Sequence, residues 1–119
     1  MKCRKETINR MRLALASLSI EYMNDLDQAE KEREACEKAK ESDTPFCMVL
    51  TGESNAKVTL QCMKDIREAI AFMKDPEHDV ENWQLAGING MFDQCNADGI
   101  IPYDLGTAVC GILGTQFYK

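Results

Sequence analysis

Six cysteines, at positions 3, 36, 47, 62, 95 and 110, and one histidine, His78, are the side chains best equipped for chemistry in this 119-residue chain. Thiolates and imidazole can hold zinc or form a nucleophile and its base, but each needs particular company. A closed zinc site takes four ligands, usually in close pairs, and the chain has neither a CxxC pair nor a second histidine. A cysteine nucleophile needs a neighbour that lowers its pKa. His78 stands in Asp75-Pro76-Glu77-His78-Asp79, read as a turn between helices, and the spacing brings no one thiol to it. The carboxylates lie in charged helical stretches, where solvation is their ordinary role. No phosphate-binding loop, dinucleotide fingerprint or Gly-x-Ser-x-Gly elbow occurs. The expectation is a non-enzymatic protein with no catalytic residue, no metal and no cofactor.

One oxygen-rich segment stands apart, Asp93-Gln94-Cys95-Asn96-Ala97-Asp98-Gly99-Ile100-Ile101-Pro102-Tyr103-Asp104-Leu105. It resembles an EF-hand calcium loop: Asn96, Asp98, Gly99 and Ile101 match the third-position ligand, the fifth-position ligand, the turn glycine and the aliphatic anchor. The same register puts Gln94 at the first ligand position and Leu105 where the bidentate glutamate belongs. Asp93 and Asp104 are each one residue out of place. The resemblance implies a degenerate ion-binding module, an alternative to the main reading below.

These residues must be positioned by helices. Lys5 to Glu41 contains no Gly and no Pro, so nothing in it breaks a helix. Ile8, Leu15, Tyr22, Ala29 and Cys36 recur every seven residues with Met11 and Leu18 between them, which lays one stripe along a helical face. At ~1.5 Å per residue this rod is roughly 55 Å long, more than the remaining chain can cover. Met11, Leu15, Leu18 and Tyr22 are therefore both core candidates and the candidate partner-binding residues, with Asp25 and Glu32 interrupting the stripe.

Shorter elements follow. Pro45 to Thr51 reads as a short buried helix ending before Gly52, with a buried strand over Phe46 to Leu50 as the alternative. Residues 55–74, capped by Ser54 or Asn55, carry Val58, Cys62, Ile66, Ala69, Ile70 and Met73 at helical spacing. Residues 79–95 carry Val80, Trp83, Leu85, Ile88, Met91, Phe92 and Cys95, with Trp83 expected in the core. Residues 103–117 hold Gly106, Ala108, Gly111 and Gly114, small residues that suit close packing against the Gly87/Gly90 helix, with Gly111 expected at the contact. The fold class is all-α: one domain over residues 1–119, a small helical bundle in which a long N-terminal helix is packed by about four shorter ones.

Charge narrows the partners. A net charge of −6 argues against nucleic acid and anionic membrane, which require a basic surface, and no apolar run reaches the ~20 residues of a membrane span. The basic start followed by Leu13 to Ile20 has the outline of a signal peptide, but Ser17, Ser19 and Glu21 fit a continuing helix instead. The expected localisation is cytoplasmic, with all six thiols reduced. Residues 1–12 carry five bases against one acid, and residues 21–43 nine acids against four bases. Antiparallel pairing of two long helices would bring these opposite signs together, so a homodimer is expected. The functional expectation is a cytoplasmic regulator or inhibitor acting by protein–protein binding. In physical type it is comparable to small antiactivators and mobile-element inhibitors, with no family motif matched. A helical structural subunit is a further alternative.

Overall fold

A computed structural model describes residues 2–41, 51–98, 101 and 104–114. It is all-helical: α1 spans Lys2–Glu41, α2 Gly52–Lys74, α3 Asn82–Asp98 and α4 Leu105–Leu113. Four helices among the described residues thus stand against the five expected. Of the expected helix over residues 45–51, only Thr51 is described, and it precedes α2 instead of closing a helix.

α1 sets the dimensions. Its 40 residues rise about 60 Å at ~1.5 Å each, and the molecule measures 62 × 32 × 16 Å. α2 runs back antiparallel along it: Gly52 meets Ala29 at one end, Thr59 donates to Asp25 at 3.0 Å, and Met73 meets Arg4 at the other end. α3 lies on the first half of α1, where buried Thr7 donates its hydroxyl to Asn89 Oδ1 at 3.1 Å and Arg10 donates to the Asn89 carbonyl at 3.1 Å. α4 packs on α2, and Gln84 of α3 donates to the Ile112 carbonyl of α4 at 3.0 Å. The core between them contains Met11, Leu18, Ile66, Met73, Ile88, Phe92, Val109 and Cys110.

α1 starts at Lys2 instead of Lys5, and α3 lies three residues later than its expected span of 79–95; two further boundaries moved for physical reasons. α2 begins at Gly52, three residues before the expected start, without a cap from Ser54 or Asn55. Its terminal N–H groups are accepted by Glu32, a residue of α1. α4 ends at Leu113, where Gly114 takes the left-handed conformation at φ 77°, a common helix stop that costs glycine no Cβ clash.

Trp83 is not a core residue. It is 62% exposed, and its indole N–H donates to the Glu81 carboxylate. The buried residues of α3 are Leu85, Ile88, Phe92 and Cys95, a 3-4-3 spacing, and Trp83 stands two residues before Leu85. Two residues rotate a helix by about 200°, so Trp83 points away however apolar it is. Trp83→Ala should accordingly change unfolding free energy by less than about 0.5 kcal/mol in urea melts; a loss above ~2 kcal/mol would place the indole inside.

The glycine contacts are also corrected. A Cβ on Gly111 would meet nothing within 4 Å. The close approach of α4 is at Gly106, where a Cβ would lie 2.7 Å from the Cys62 carbonyl oxygen and 2.8 Å from Asp65 Cβ. α4 therefore seats its small residue on α2. Of the α3 glycines, Gly87 faces Ile112 at 3.3 Å and Gly90 faces open space.

Candidate binding surface

Of the residues with catalytic potential, His78 and Cys36 are half-buried and Cys62, Cys95 and Cys110 are buried, while Cys47 and the Cys3 side chain lie outside the described residues. The His78 ring stacks on Phe72, centroids 4.1 Å apart, and its Nδ1 lies 3.0 Å from the Phe72 carbonyl oxygen. That oxygen can only accept, so Nδ1 carries the hydrogen. Cys36, Cys62, Cys95 and Cys110 are cysteines, joined in no disulfide. Burial first, together with the charges of Asp65, Glu21 and Asp104, outweighs a hydrogen bond from the Gly106 N–H and pushes the Cys62 thiol up, which keeps it protonated and a poor nucleophile.

Asp65, Glu68 and Cys110 bring three ligand-type atoms within 4.8 Å of one another. Asp65 Oδ1 accepts from Gln61 at 3.0 Å. Thr107 approaches Oδ2 at 3.5 Å, and Cys110 Sγ donates to the Asp65 carbonyl at 3.1 Å. The group ties α4 to α2. In the EF-hand-like segment, Gln94, Asn96 and Asp98 fall within α3, and Gln94 and Asn96, two residues apart, diverge by about 200° instead of converging as loop ligands do. Residues 99, 100, 102 and 103 of that segment lie outside the described residues.

Glu32 is the functional group of the fold that no local motif announced. Its Oε1 accepts from the Thr51 and Gly52 N–H groups at 3.3 and 3.1 Å and from the Thr51 hydroxyl at 3.2 Å. Gln28 donates to the same oxygen at 3.3 Å. Two orphan donors at the α2 N-terminus are thus capped from another helix. The one signal in the sequence was phase: Asp25 and Glu32 both sit on the apolar stripe, where a carboxylate must find partners. Burial alone would push the Glu32 carboxyl up, but these hydrogen bonds together hold it below its ordinary value of 4.5.

A folded-state pKa below the unfolded one adds stability above the unfolded value, and this is lost as pH falls through the folded value. Glu21 acts in the opposite sense, raised by burial and then by the Asp25 charge, so its ionisation weakens the fold as pH rises. Subtracting the stability profile of Glu32→Gln from that of wild type isolates the first effect. The difference should be constant above pH ~5 and shrink progressively below ~4.5; a difference independent of pH would remove the charged cap.

The four stripe residues proposed for partner binding lie toward the core. Met11 and Leu18 are fully packed, and Leu15 and Tyr22 are half-buried against them. α2 supplies the cover that the sequence left open. The exposed large apolar residues of α1 are instead Leu13 at 70%, Ile20 at 66%, Met23 at 61% and, less so, Leu26 at 42%. Leu13, Ile20 and Met23, with exposed Ala16 between them, share one face, and Leu26 stands beside it. Ala16 and Ile20 each stand two residues from buried Leu18, about 200° around the helix, so this second stripe faces away from α2. Leu13 also rims a cleft of about 120 Å³ between α1 and α3, lined by Ala14, Ser17, Phe92 and Cys95.

The accessible surface is 8016 Å², against about 6,500 Å² for a compact monomer of this mass. The radius of gyration is 18.2 Å, against about 13.5 Å for a compact chain of this length. Among the described residues, no helix is long and apolar enough to cross a membrane. Fold and surface define an elongated all-helical protein with an uncovered apolar helix face. No family model, curated protein or solved structure matches the chain.

Proposed function

We propose that this is a non-enzymatic regulator or inhibitor that acts by binding protein through the outer face of α1. The observation carrying this reading is the exposed Leu13-Ala16-Ile20-Met23 stripe. Single exposed apolar residues are ordinary, but a contiguous row on one helix marks an interaction site. The surplus of roughly 1,500 Å² over a compact monomer goes with the elongated shape, 62 × 32 × 16 Å, in which α2, α3 and α4 do not cover that face. A reducing, cytoplasmic setting goes with this reading, as the unpaired spacing of the six cysteines in the sequence suggests.

Affinity capture from the native host tests the reading, with the intact chain and an Ile20→Glu, Met23→Glu double variant as baits. Both positions are exposed, so the variant should melt with wild type. A protein retained by wild type and lost by the folded variant is the expected result. Identical captures, combined with unchanged self-association, would discard the surface.

A further inference from the structure

We infer that the outer face of α1 pairs with the same face of a second copy of this chain, antiparallel, in a short coiled-coil seam centred between Ala16 and Ile20. The inference rests on the reading of that face as a binding surface. It replaces Met11, Leu15, Leu18 and Tyr22, which the core occupies, with residues on the opposite side of the same helix.

Spacing is the first argument. Leu13, Ala16, Ile20 and Met23 follow the 3-4-3 interval of a coiled-coil seam, and polar Asn9 and Asp27 continue that interval at either end and delimit it. The pattern is symmetric about its midpoint. Antiparallel pairing sets Ala16 against the partner's Ile20 and Leu13 against the partner's Met23, a small residue facing a large one at each inner position. Met23 is unbranched and adaptable, and the partner's copy would meet Leu13 beside the cleft that Phe92, Ser17 and Cys95 line.

Charge selects the direction. The bases of the α1 N-terminus divide into two sets. Arg4 donates to carbonyls at the end of α2, and Arg10 pairs with Asp93 at 2.8 Å. Lys5 and Arg12 are exposed and lie on the turns that flank the apolar stripe. Beyond Met23 the same face presents exposed Asp27, Glu30 and Glu34, with Lys31 at its edge. Antiparallel pairing brings Lys5 and Arg12 toward the partner's acids at both ends, whereas parallel pairing stacks like on like. Screened surface charges choose orientation, and the buried apolar area provides the affinity.

Sedimentation equilibrium of the full chain between ~1 and ~100 μM, a range in which a micromolar complex passes from partial to nearly full assembly, provides the first test. Wild type should be dimeric at the upper end. Ile20→Glu with Met23→Glu should be monomeric there, with an unchanged far-ultraviolet circular dichroism spectrum and thermal melt. Lys5→Glu with Arg12→Glu should weaken the dimer several-fold, and more at low salt than at high salt.

Orientation is read by zero-length carbodiimide crosslinking of the wild-type dimer. Within one chain, Lys5 and Glu34 are 29 residues apart on a continuous helix, roughly 44 Å, so a link between them is necessarily intermolecular and antiparallel. Links from Lys5 to Glu30 or Glu34 are expected. A wild type that stays monomeric at ~100 μM overturns the second copy. If the double variant nevertheless loses a captured host protein, the surface reading survives this failure; if it loses nothing, both fall. A dimer that the double variant leaves intact, or one whose crosslinks omit the Lys5 to acidic-end pair, overturns the seam.

Discussion

Gly52→Ala should cost the protein about 3 kcal/mol or more of unfolding free energy, while Gly111→Ala should leave it unchanged or up to ~1 kcal/mol more stable. The two substitutions add the same methyl group to a helix, and on propensity alone both would help. At Gly52, however, the new Cβ would fall 2.5 Å from the Ala29 nitrogen, 2.8 Å from Ala29 Cα and 2.9 Å from the Asp25 carbonyl oxygen. All three are backbone atoms of α1, so no rotamer change relieves the overlap. The helices must separate at the crossing, which also withdraws the Gly52 N–H from Glu32, now 3.1 Å away. At Gly111 the methyl group meets nothing, and the helix gains only from losing glycine's backbone freedom. Urea melts of the pair decide it. A Gly52→Ala protein within 1 kcal/mol of wild type would mean that α1 and α2 are not in backbone contact there.

That contrast also shows what the sequence could and could not disclose. A long α1 was legible because nothing between Lys5 and Glu41 interrupts it. The buried face of α2 was legible because Cys62, Ile66, Ala69, Ile70 and Met73 keep one phase, although Val58, read with them, is half-exposed at the helix start. Local pattern identifies a face and stays silent about what covers it. Met11 and Leu18 were recognisable as a stripe, but only the return of α2 assigns them to the core. Trp83 was misplaced by weighing hydrophobicity over phase, since Leu85, Ile88, Phe92 and Cys95 already defined the inward side. The glycines of α4 look alike in sequence; Gly106 is singled out by Cys62 and Asp65, residues more than forty positions away. The Glu32 cap was out of reach for the same reason, because its donors are 19 and 20 residues downstream in another helix.

Arg4→Ala should destabilise the protein by about 2–3 kcal/mol, and Arg4→Lys should recover less than half of that loss. The basic start of the chain could have served as an arm for an anion. Arg4 instead turns inward, its Nε donating to the Met73 carbonyl at 2.6 Å and one terminal nitrogen donating to the carbonyls of Asp75 and His78, each at 3.0 Å. These oxygens lie at the C-terminal end of α2 and in the turn that leads toward α3. The last carbonyls of a helix lack intrahelical donors and carry the negative end of its dipole. One planar cation therefore fastens the start of α1, the end of α2 and the approach to α3. Charged hydrogen bonds of this kind contribute roughly 1.5–3 kcal/mol each when buried. The side chain is half-buried, so each bond stands at the low end of that range, ~1.5 kcal/mol, and ordering the side chain costs up to ~2 kcal/mol, which leaves roughly 2.5 kcal/mol for the three. Lysine keeps the charge but offers one flexible ammonium in place of a rigid fork, so it cannot hold the same oxygens at once. Chemical denaturation with all three proteins is the measurement. If alanine and lysine both melt within 0.5 kcal/mol of wild type, the guanidinium is solvated and the α1–α2–α3 junction is held by Ile8 and Met73 packing alone.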